Sequence, residues 1–181
     1  MELVSGVDLH FITSKKFKTN RIKMRFSAPM STDTIAGRVL VASMLETANE
    51  IYPTSQIFRE RLATLYGANF STGLSRRGLI HYVDLNISFV SDAFLSRKNT
   101  LTGEILDFLK DSLLKPLANE GAFNQAVFEI EKTNVLNDLK AEIEDHFYHA
   151  HQELNKLFYT EKEMQTPRLA TPDLVDRKSV V

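Results

Sequence analysis

His146-Phe147-Tyr148-His149-Ala150-His151 is the one histidine cluster in the chain. On a helix, His146 and His149 would share a face, with Glu142 and Glu153 about a turn away, which is a conceivable metal site. His151 would point elsewhere, and the spacing matches no precise ligand motif, so ordinary histidines at an exposed helix end are the better reading. Ser43, His81 and Asp84 supply the residue types of a nucleophile, a base and an orienting acid. No G-x-S-x-G turn supports them, and residues 81 and 84 of one strand face opposite ways. The pairs Glu142/Glu144 and Asp173/Asp176 read as solvated faces, and His10 and His81 as hydrogen-bonded structural residues in strands. With no cysteine, disulfides, thiolate zinc sites and cysteine nucleophiles are all excluded. Neither GxGxxG nor GxxxxGK[ST] occurs, so no phosphate-binding loop is expected. No residue is therefore assigned a catalytic or metal-ligating role.

The bulk numbers describe a chain able to bury a core. Of 181 residues, 43% are hydrophobic and 25% charged, and the net charge is −1. A balance so near neutral predicts neither nucleic acid nor an acidic membrane as partner. No apolar run approaches the roughly 20 residues of a membrane helix. The N-terminus carries no basic-then-apolar leader, so a cytoplasmic protein is expected.

The elements that would position any site follow from periodicity. Val7 to Ile12 reads as a short strand. In Arg21 to Ser27, Ile22, Met24 and Phe26 alternate with Arg21, Lys23 and Arg25, the pattern of a half-buried strand. The basic residues then form a solvated sheet face in preference to a polyanion patch. A helix follows Ser31-Thr32-Asp33, with Ile35, Val39, Leu40, Met44 and Leu45 at helical spacing. A second helix places Pro53 in its first turn and ends at Gly67. Ala68 to Leu74 and Leu79 to Val90 alternate as strands around Arg76-Arg77-Gly78. A helix from Leu101 stops before Pro116, and a longer helical run with a plausible kink begins near Asn124. The tail from Thr166 turns polar and ends at Val180-Val181 with no capping signal. The order is ββααββ, then helices: an α+β domain, an antiparallel sheet with helices packed on one face.

Tyr52-Pro53, and then Leu62-Ala63-Thr64-Leu65-Tyr66-Gly67-Ala68-Asn69-Phe70-Ser71-Thr72, resemble the insulinase and mitochondrial processing peptidase family of pitrilysin-type zinc peptidases. Asn69 and Thr72 match a characteristic strand of that family, while Phe70 replaces its usual alanine. Glu131-Lys132 resembles its acidic helix. Active members of the family carry His-x-x-Glu-His on the first long helix, where two imidazoles four apart reach one zinc and the glutamate serves as base. A glutamate from the later helix completes the set. Counted back from Tyr52-Pro53, the motif should fall at Val39 to Ser43, and the later glutamate near Asp138. Thr34 to Ile51 contains no histidine, and Glu46 and Glu50 alone would make a weak zinc site.

The resemblance therefore implies a non-catalytic bacterial member. Residues 1–181 would be a single domain, most of the N-terminal peptidase-like domain of a longer two-domain protein. Zinc would belong only to an active partner or homologue. The expected partner is a homologous zinc-peptidase-like subunit or the protein's own C-terminal domain. An unstructured peptide could add as a strand along Ala68, Asn69, Phe70, Ser71 and Thr72. Two alternatives stand beside this: a zinc peptidase whose metal site lies outside the segment, and a purely structural interaction module.

Overall fold

The computed structural model describes residues 1–96 and 100–179; Val180 and Val181, at the end of the expected polar tail, lie outside them. The chain opens with a small hairpin, β1 (Glu2–Val4) and β2 (Val7–Asp8), turned at Gly6 with a φ of +80°. This shortens the strand read at Val7 to Ile12. Only Val7 and Asp8 lie in a ladder, and they pair with Val4 and Glu2. Phe11 and Ile12 are 79% and 95% exposed, so no buried face fixes them in a register.

The main sheet begins at β3 (Thr19–Pro29). The helices α1 (Ile35–Thr47) and α2 (Ser55–Thr64) follow, then β4 (Asn69–Arg77) and β5 (Ile80–Val90). The strand order is β3-β5-β4, antiparallel throughout, so among the described residues β4 has a strand neighbour on one side only. Beyond the sheet come α3 (Leu101–Leu114), the two-residue strands β6 (Ala118–Asn119) and β7 (Ala122–Phe123), and then α4 (Gln125–Glu144), α5 (His146–Phe158), α6 (Lys162–Gln165) and α7 (Pro172–Asp176). This is the expected α+β architecture.

Alternation in the strands decides which face is covered. Phe70, Leu85, Ile87 and Phe89 are buried against Phe58 and Leu62 of α2 and Ile105 and Phe108 of α3, with Ile22 and Met24 packed beside them. On the other face, Lys23 and Arg25 both reach Asp84, at 2.9 and 2.7 Å. The Arg25 guanidinium also lies over the Tyr82 ring, 4.8 Å from its centroid. Those bonds hold the Asp84 carboxyl below the usual carboxylate range, chiefly through Arg25 and against the opposing effect of burial. Two members of the basic strand are thus spent within the sheet, as the solvated-face reading requires.

A second core joins α1 to the C-terminal helices. Ile35, Ala36, Val39, Leu40 and Met44 pack with Phe128, Val135 and Leu139 of α4 and with Val175 of α7. The expected polar tail is therefore anchored: Val175 is fully buried, and Thr171 caps α7. The expected kink is a clean break, because the Asp145 carboxylate accepts from the amides of Phe147 and Tyr148 and starts α5 afresh. α2 likewise begins later than expected, at Ser55: the Thr54 hydroxyl caps it by accepting from the Ile57 amide, so Pro53 precedes the helix instead of lying in its first turn.

Candidate functional site

The site is set by how α1 ends. Asn49 is completely buried just past that helix. Its Oδ1 accepts from the amides of Ile51 and Tyr52, and its Nδ2 donates to Ser112 Oγ of α3. A polar side chain so enclosed has to be fully bonded, and these bonds fold the chain sharply from α1 into α2. Tyr52 then stacks on Phe108 at 5.8 Å and meets Phe58 edge-on at 6.4 Å. The Tyr52-Pro53 signature is thus a packing feature that fixes the last turn of α1 relative to the sheet.

On that last turn, Ser43, Glu46 and Thr47 face a cleft of about 800 Å³ between α1, the start of α2 and α4. Ser43 Oγ donates to Glu131 Oε2 at 2.5 Å, and Thr47 Oγ1 donates to Glu131 Oε1 at 2.9 Å. Glu131 is on α4, buried, and held through both of its oxygens. Glu46 turns the other way: its Oε2 accepts from the Thr72 amide at 2.9 Å and from Thr72 Oγ1 at 2.8 Å. Its second oxygen lies 3.8 Å from Arg59 of α2, which also lines the cleft.

This geometry corrects the expected location of the missing motif. Two α1 positions four residues apart reach a glutamate of the later helix, and they are Ser43 and Thr47, not Val39 and Ser43. The segment Ser43-Met44-Leu45-Glu46-Thr47 has the spacing of His-x-x-Glu-His with a hydroxyl residue in place of each histidine. The later glutamate is Glu131, two helical turns before Asp138. Counting back from Tyr52-Pro53 therefore slipped by four residues, one turn of α1. The readable signal was Glu46 itself, a carboxylate three residues after Ser43. Glu46 and Glu131 thus fall at the two glutamate positions of the pattern, and hydroxyls fall at its two histidine positions.

The donor set does not fit zinc. Serine and threonine hydroxyls are outside the usual Cys, His and carboxylate ligands. Here they donate to the one carboxylate that would bind metal. Among the described residues no group of three or more His, Cys, Asp or Glu is placed to hold a metal ion.

The other candidates separate in space. His146, His149 and His151 lie exposed on α5. His81 is buried, with Nε2 donating to the Arg168 carbonyl at 3.0 Å, while Asp84 bonds Lys23 and Arg25 and Ser43 bonds Glu131, so no triad forms. Of the expected peptide-binding residues, Asn69 to Thr72 begin the one-sided strand β4. Ala68 precedes it, and its amide already donates to the carbonyls of Leu62 and Leu65. Phe70 points into the core, where it meets Phe108 edge-on.

No protein-family model matches the chain. A curated protein of Bacillus subtilis, described as probable inactive metalloprotease YmfF, is 24% identical over 140 residues, which is 77% of this chain and 33% of that protein. A crystal structure of a conserved protein from Enterococcus faecalis superposes with a TM-score of 0.89 at 30% identity, over 93% of this chain and 40% of that one. A peptidase M16 inactive domain from Pseudomonas fluorescens superposes at 0.66 and 15% identity, over 92% of this chain and 37% of that one, a likeness of fold. The chain thus spans about a third of its curated relative and two fifths of the solved one. Among the described residues no helix is long and apolar enough to cross a membrane. With hydroxyls at the two positions where the resemblance expects histidines, the chain is similar in sequence to a protein described as a probable inactive metalloprotease and shares its fold with a peptidase M16 inactive domain.

Proposed function

We propose that the chain is most of the first domain of a longer non-catalytic subunit, which pairs with a zinc-bearing homologue, or with its own second domain, and helps to hold an extended peptide. The observation that carries this reading is the retained framework at Ser43, Glu46, Thr47 and Glu131, which keeps the spacing of a peptidase site and lacks its metal ligands. A one-sided strand beside that cleft gives a peptide somewhere to pair.

Two experiments test it. Mixing the purified protein with a zinc-bearing homologue from the same genome should give a stable heteromeric peak on size exclusion. Two separate peaks at micromolar concentration would count against pairing. After dialysis against zinc, the wild type should retain no stoichiometric metal, whereas Ser43→His/Thr47→His should bind one zinc per chain, with Glu131 as third ligand. Stoichiometric zinc on the wild type would overturn the non-catalytic reading.

A further inference from the structure

We infer that Glu46 is a latch on the open edge of β4, and that an extended peptide pairs with that edge only when the carboxylate lets go. This rests on the strand-addition reading proposed above.

The register of the sheet fixes which backbone groups face outward. Thr72 stands opposite Leu85 of β5. Its amide nevertheless donates to Glu46 and not to β5, so Thr72 and Leu85 form a non-hydrogen-bonded pair. By the two-residue repeat of a strand, the backbone groups of Phe70, Thr72 and Leu74 point to the open side, while those of Ser71 and Gly73 bond β5. Thr72 is the central position of that outward row. An incoming strand would need its amide, and Glu46 already holds both that amide and the Thr72 hydroxyl.

The bond is charge-assisted and two-pronged, stronger than one neutral hydrogen bond. Arg59 steadies the second oxygen from an exposed position, at 3.8 Å, and adds little. Unpaired strand edges invite association with other chains, and an acidic side chain folded onto the edge blunts that tendency. The carboxylate at the position the resemblance gives to the zinc peptidases' base is thus turned onto the strand beside it.

The test uses amide hydrogen exchange and a fluorescein-labelled, unstructured peptide of alternating valine and serine. The wild type is compared with Glu46→Ala, Glu46→Gln and, as an exposed carboxylate of α2 outside the site, Glu60→Gln. In Glu46→Ala the Thr72 amide should exchange at least about tenfold faster while Ser71 and Gly73 stay protected, and the probe should bind about tenfold more tightly. Glu46→Gln should fall between, and Glu60→Gln should match the wild type in both readouts. Circular dichroism confirms that each variant is folded. Equal probe affinity in wild type and Glu46→Ala overturns the latch and leaves strand addition standing. No probe binding to any form, with Thr72 released, overturns strand addition and the latch with it.

Discussion

His81 shows what a single buried side chain imposes on the whole protein. Its Nε2 donates to the Arg168 carbonyl, its Nδ1 has no partner among the described residues, and burial pushes the imidazole pKa below its ordinary value. Arg38 and Arg76 push the same way. The folded state therefore resists a proton that the unfolded chain accepts below its ordinary pKa of about 6.5. Where the unfolded state binds more protons, stability falls as pH falls. The urea midpoint should accordingly drop between pH 7.5 and pH 5. His81→Gln, which keeps a donor for Arg168 and does not titrate, should flatten that decline, and an unchanged slope in the variant would place its origin elsewhere. The sequence showed His81 as a structural strand residue. It did not show the partner, because Arg168 comes from a tail that carries no periodic signal.

Among the elements, those with strong local chemistry were readable and those set by tertiary contact were not. β3 and β5 alternate cleanly because one face is buried and the other ion-paired, and α3 ends where Pro116 requires. The stretch from Val7 to Ile12 looked like a strand by propensity alone, but nothing packs on it. α4 and α5 looked like one kinked helix because their apolar spacing continues across Asp145. That residue is a strong N-cap, and its carboxylate decides the break. Asp145→Ala should cost about 1 kcal/mol of stability. It should also raise exchange at the Phe147 and Tyr148 amides, measurable by denaturation and hydrogen exchange. The candidate site was legible as a family pattern and misplaced by one turn of α1, an error that only the geometry around Asn49 and Glu131 exposes.

At the scale of the molecule, two apolar cores meet along α1 and the sheet, and α5 stands apart from both. Its half-buried residues are Tyr148, Gln152 and Asn155, while Phe147 and Leu157 are 91% and 86% exposed. The helix turns its more polar side inward. Tyr148 loses water there, and burial raises its phenol pKa. The link between α1 and α4 has a different character. In a metal site, such a link depends on an ion that the cell must provide and can withdraw. Here two hydroxyls and a carboxylate form it as soon as the chain folds. The melting midpoint should be the same with and without EDTA, and a drop of more than a degree or two on chelation would contradict this. A joint built from three side chains makes no claim on the supply of an ion.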